Sequence, residues 1–109
     1  MTDTPALPLT EAQRDALDAA AFRRLLSHLD AHKEVQNIDL MILADFCRNC
    51  LGDWWQDAAA SQGLDITRDA ARERIYSMPY SEWKEKHQQP ATDEQMAAFK
   101  ARQAAKGKG

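Results

Sequence analysis

The 109-residue sequence predicts an all-α fold, a compact bundle of four to five helices around one long, central apolar helix. Three observations carry that expectation. Thr10-Glu-Ala-Gln13 and Thr92-Asp-Glu-Gln95 both fit the capping box, in which a threonine hydroxyl accepts from the third helical amide and the glutamine reaches back. Apolar residues recur at helical spacing. No Val/Ile/Thr-rich alternating stretch reads as a strand.

Each element has its own signal. The first capping box opens a helix from Glu11 to about Ala31, with Leu17, Ala21, Leu25 and Leu29 on one face and Phe22 and Leu26 widening it. Asn37 or Asp39 can cap a second helix running towards Ser61, and Gly63 suits the left-handed residue that follows a helix end. Leu40-Met41-Ile42-Leu43-Ala44 is apolar around nearly the whole circumference, so this helix is expected at the centre, covered on several sides. Gly52 inside it, about 1 kcal/mol worse than alanine, suggests a bend or a close helix contact near Trp54 and Trp55. Thr67 caps a third helix through Met78, which Pro79 ends. A short turn capped by Ser81 carries Trp83, and a last helix runs from Asp93 to about Ala105 with Met96, Phe99 and Ala97 inward. The domain expected is residues 10–105, with an N-terminal arm over 1–9 and a tail over 106–109.

Composition narrows the function. Hydrophobic residues at 44% and charged residues at 28%, with 4 Gly and 4 Pro, argue for a folded domain over a disordered chain. A net charge of −3 gives no global attraction to nucleic acid or anionic lipid. No stretch approaches the ~20 apolar residues of a membrane span, and the opening MTDTPALPLTE has neither the basic nor the apolar region of a secretory signal. Two cysteines without an export signal point to a reducing, cytoplasmic setting.

Cys47-Arg-Asn-Cys50 is the one pattern with a metal or redox reading. Residues three apart on a helix share a face, so both thiols reach one spot. A reactive dithiol needs its first cysteine at a helix N-terminus. Here the expected long helix puts the pair about ten residues past its cap, which argues against that chemistry. Zinc needs four ligands, or three and a water, and His28 from the preceding helix is the candidate third beside Cys47 and Cys50. Buried structural thiols are the plainer reading. His28 and His32 stand at i, i+4, a ligand spacing, but without the HExxH pattern.

Arg23, Arg24 and Arg48 fall near the thiols if the first two helices form an antiparallel hairpin about Lys33–Asn37. They would line a polar seam, either holding a small anion or pairing with acids such as Asp18, Asp45 and Asp53. Tyr76-Ser-Met-Pro-Tyr80-Ser-Glu-Trp83 reads as a tight aromatic corner closing a core edge. With Trp54 and Trp55 the same Tyr76, Tyr80 and Trp83 also make a candidate interaction surface, because Tyr and Trp are enriched at binding hot spots.

Taken together, AFRRLLSHL (21–29), VQNIDLMILADFCRNCL (35–51) and IYSMPYSEWK (75–84) resemble a family of short bacterial proteins, domain of unknown function 1244. The resemblance spans most of the chain, and its most specific part is the VQNIDLM…FCRNCL block. It implies a small helical, bacterial, cytosolic domain and brings no catalytic residues. The function expected is a non-enzymatic, self-associating interaction protein; the alternative is a metal-binding module or metal-dependent enzyme, zinc being the metal, centred on Cys47 and Cys50. A homodimer would bury surplus apolar surface through one self-complementary patch.

Overall fold

The computed structural model describes residues 8–108, with 106–108 known by their backbone alone. The arm expected over 1–9 therefore lies outside the described residues for 1–7, as does Gly109 of the expected tail. The described residues form six α-helices and no strand. These are α1 (Glu11–Asp30), α2 (Asn37–Ala44), α3 (Arg48–Ser61), α4 (Arg68–Tyr76), α5 (Tyr80–His87) and α6 (Asp93–Lys108).

Local capping sets most of the boundaries. Thr10 Oγ1 accepts from the Gln13 amide at 3.0 Å while the Thr10 amide donates to Gln13 Oε1 at 2.9 Å. Thr92 and Gln95 repeat that box at 3.0 and 2.8 Å. Thr67 Oγ1 accepts from the Ala70 amide at 3.1 Å at the start of α4. At the end of α3, Gly63 takes φ +76°, and the Leu64 and Gly63 amides donate to the Ala59 and Ala60 carbonyls. That is a Schellman closure, which needs a residue tolerant of positive φ. Helix α4 stops at Tyr76, before the expected Met78, because Ser77 adopts φ 61° and donates its amide to the Glu73 carbonyl. Helix α6 runs past the expected end at Ala105 to Lys108.

The main departure from expectation is at the centre. The expected single helix from Asn37 to Ser61 is two helices, α2 and α3, separated at Asp45. Asp45 sits in the left-handed region (φ 59°, ψ 35°), a conformation aspartate enters more readily than most residues. Its amide closes α2 onto the Met41 carbonyl, and Cys47 then stands extended as the N-cap of α3. The break lets the two halves take different neighbours. Helix α2 packs on α6, whereas α3 packs most closely on α4.

Consequently α2 is not the central element. Leu40 is buried, but Leu43 is 76% exposed and Ala44 is also exposed. Gln36, not Asn37 or Asp39, is its N-cap; Asp39 Oδ2 accepts from the Gln36 amide at 3.0 Å and Asp39 Oδ1 accepts from Gln95 Nε2 at 2.8 Å, tying α2 to α6. The α3–α4 pair holds the centre. Gly52 is buried there against Arg72, where a β-carbon would meet Arg72 Cγ at 3.5 Å, so the close helix contact expected near Trp54 is with α4.

The core gathers Leu26, Leu51, Ile75, Tyr76 and Trp83, with Phe22, Leu29, Phe46, Met78 and Tyr80 packed around it. Helix α1 meets the core through Phe22, Leu26 and Leu29, so the Leu17–Ala21–Leu25 ridge is turned outward. Leu17 is 58% exposed, and Leu26 is the one buried residue of this 20-residue helix. The radius of gyration is 17.0 Å, against about 13 Å for a compact chain of this length. The molecule is open at α1 and α6.

Candidate functional site

The polar residues embedded in the most apolar part of the chain converge on the start of α3. Arg48 is 3% exposed. Its Nη1 donates to the Val35 carbonyl at 2.7 Å and to Asn37 Oδ1 at 3.1 Å; its Nη2 donates to the His32 carbonyl at 3.0 Å and to the Leu29 carbonyl at 3.5 Å. The guanidinium lies over the Trp83 ring, 5.1 Å from its centre. Leu29 lies in the last turn of α1 and His32 just beyond it, at the negative end of the helix dipole, and their carbonyls also accept the His32 and Val35 amides. Arg48 is thus the cap of α1, supplied from the beginning of α3. Burial pulls its pKa down from the ordinary arginine value, yet a guanidinium stays charged at any pH a folded protein meets.

From Arg48 a hydrogen-bonded chain runs into α4. Asn37 Oδ1 also accepts from the Arg48 amide at 3.3 Å, Asn37 Nδ2 donates to the Tyr76 phenol oxygen at 2.9 Å, and the Tyr76 hydroxyl donates to Asn49 Oδ1 at 2.8 Å. Gln36 extends the set. Its Nε2 donates to the Glu34 and His87 carbonyls and its Oε1 accepts from the Gln89 amide. Beside these residues a cavity of about 340 Å³ opens between Asn37, Asn49, Tyr80 and Gln89. Asn49 and Gln36 carry no sequence expectation, whereas Asn37 is expected only as a helix cap and Tyr76 only as part of an aromatic corner or interaction surface. The usable signal was polar side chains within an apolar run, since such groups must find partners when buried.

Tyr76 supplies a pH test. Burial, the largest cause, pushes its phenol well above the ordinary value of 10.0, with the Asn37 bond acting the other way. A raised folded-state pKa means the neutral phenol is favoured in the fold. Its contribution is whole below the unfolded value and is lost as pH climbs beyond it. We expect wild-type stability to fall above about pH 10 by up to ~1.4 kcal/mol per pH unit more than that of Tyr76→Phe. Urea denaturation of both proteins between neutral pH and pH 11 reads the difference, and parallel curves would refute it.

The thiols also gain a new setting. Cys47 and Cys50 occupy the N-cap and the first turn of α3, their Sγ atoms 4.0 Å apart. The expectation of a mid-helix pair is therefore overturned by the Asp45 break. Cys47 is buried and Cys50 half-buried. Burial raises the Cys47 pKa, while the Cys50 and Asn49 amides, pointing at the sulfur, pull against it.

The other expected ligands lie elsewhere. His28 is exposed and its ring rests against His32, 4.7 Å centre to centre, while His32 Nδ1 meets Glu34 Oε2 at 3.2 Å. Among the described residues no group of three or more His, Cys, Asp or Glu side chains is placed to hold a metal ion. The arginine seam is not brought together either. Arg23 and Arg24 are exposed on α1, and the partners of Arg48 are carbonyls and Asn37 instead of Asp18, Asp45 or Asp53.

The aromatic set divides in two. Tyr76 and Trp83 are each 2% exposed, with ring centres 4.9 Å apart, and belong to the core. Tyr80 is half-buried, 5.2 Å from Tyr76 and with Arg72 4.8 Å over its ring. Trp55 is half-buried, and Trp54, stacked on Phe46, is 56% exposed. Trp54, Trp55, Phe22, Leu51 and Ala58 line an apolar groove of about 230 Å³ between α1 and α3.

The residues of this junction are those of the most specific sequence block, and a family model spans them. Residues 35–101 match the model described as protein of unknown function (DUF1244). The chain belongs to the DUF1244 family. No curated protein matches it. The DUF1244 match covers α2 to α5 and the first part of α6, including Arg48, both cysteines and Tyr76, and leaves α1 outside. None of the helices described is long and apolar enough to cross a membrane.

Proposed function

We propose that this DUF1244 chain is a non-enzymatic interaction domain that acts as a homodimer, with the groove between α1 and α3 as its contact. The carrying observation is uncovered apolar surface: Trp54, 56% exposed, lines a groove whose lining is entirely apolar, and farther along α1 Leu17 is 58% exposed. The chain exposes 8132 Å². A compact protein of 12.3 kDa exposes about 6,100 Å². The extra surface is spread along the open α1 and α6 as well as the groove, and the apolar lining of the groove is the part a second copy would cover. A second copy is the occupant favoured, because one self-complementary patch on each chain closes the assembly without leaving a further apolar face.

Light scattering at micromolar concentration tests this. The wild type is expected near twice 12.3 kDa, with Trp54→Glu and Leu17→Glu shifted towards 12.3 kDa. Both positions are exposed, so the variants should retain their helical circular dichroism and change stability by roughly 0.5 kcal/mol or less. A wild type that stays monomeric, or a dimer indifferent to both substitutions, would overturn the reading.

A further inference from the structure

We propose that Cys47 and Cys50 form a reversible disulfide site that reduces, and is oxidised by, a small-molecule disulfide. The geometry supporting it is specific to the break at Asp45. An N-cap residue and one three positions on have Cα atoms about 5 Å apart, inside the range a disulfide spans. Their Sγ atoms already touch at 4.0 Å, and side-chain rotation brings them together without moving the helix. Had α2 and α3 been continuous, Cys47 would lack both its extended backbone and the free amides of a first helical turn.

The two thiols differ in access, which sets the order of steps. Cys50, half-buried, is the one an external disulfide reaches; Cys47 lies behind it. The Cys50 thiolate attacks one sulfur of the external disulfide, whose S–S bond breaks and whose other sulfur leaves as a thiolate. Cys47 then loses its proton, with the Asn49 and Cys50 amides facing the developing charge. The Cys47 thiolate attacks Cys50 Sγ, forms the internal bond and expels the second external thiolate. Two electrons pass from the chain to the external disulfide, and the two protons end on its sulfurs. An added dithiol reduces the internal disulfide by two further exchanges and ends as its own cyclic disulfide.

The test equilibrates the full chain with reduced and oxidised glutathione, quenches with acid, alkylates and weighs the product. The expected result is a chain lighter by two hydrogens, with both thiols closed to alkylation, single on a non-reducing gel and restored by dithiothreitol. Cys47→Ser should stop at a glutathione adduct on Cys50, and folded Cys50→Ser should leave Cys47 unmodified. Full alkylation of both thiols at the largest excess of oxidised glutathione would sink the proposal. So would a disulfide joining two chains, or zinc found on the thiols by elemental analysis of the purified protein. The wild-type measurement decides the matter even where a serine variant fails to fold.

Discussion

Arg48→Ala is expected to destabilise the fold by about 2 to 4 kcal/mol, a large share of what a single small domain has. The substitution removes donors from the Val35, His32 and Leu29 carbonyls and from Asn37 at once. The Leu29 and His32 carbonyls keep the His32 and Val35 amides, and Asn37 Oδ1 keeps the amide of residue 48. The loss therefore falls mainly on the Val35 carbonyl, at about 1 to 3 kcal/mol for a buried acceptor without a donor, and on the last turn of α1, which loses the cation that complements its dipole. Arg48→Lys should recover less than half of the loss, since an ammonium cannot reach partners on both sides of a planar fork. Urea denaturation monitored by circular dichroism gives the answer through the midpoint at constant slope. A loss below about 1 kcal/mol for alanine would mean that water replaces the guanidinium, against the burial described.

Trp83→Ala should cost a similar amount, about 3 to 5 kcal/mol, by a different route. Trp83 is 2% exposed and lies between Tyr76 at 4.9 Å, His87 at 5.8 Å and the Arg48 guanidinium at 5.1 Å. Its removal opens a cavity against the Tyr76 and His87 rings, and it uncovers one face of a buried cation. The two losses are therefore coupled. In a double-mutant cycle the Arg48→Ala, Trp83→Ala pair should fall short of the sum of the singles by about 1 to 2 kcal/mol. Strict additivity in the same denaturation assay would show that the ring and the guanidinium contribute independently.

The sequence was legible where structure is made by near neighbours. Thr10, Thr67, Thr92 and Gly63 act through residues a few positions away, and each ends or begins a helix as its local chemistry dictates. The break at Asp45 is another kind of event. No proline or glycine stands there, and apolar residues lie on both sides of it. What favours the break is remote: α6 covers α2, α4 covers α3, and Arg48 reaches the end of α1. Misreading that one residue moved Cys47 from a helix start to a helix middle and made α2 the centre of the bundle. The partners of Arg48 were hidden for a related reason. Carbonyl acceptors belong to every residue, so they leave no mark in a pattern of side chains, and the search for acids around an arginine passes them over.

The one-ended attachment of α1 has a mechanical consequence. Its last turn is gripped by Arg48, and Leu26 and Leu29 seat it on the core, while residues 11–18 touch solvent on all sides. Twenty helical residues are about 30 Å long. A tilt of about 10° at the gripped end swings the far end by about 5 Å. Helix α1 is built as a lever held at one end by the Arg48 guanidinium and its seat on the core, so a small adjustment at the first turn of α3 would be magnified at its tip.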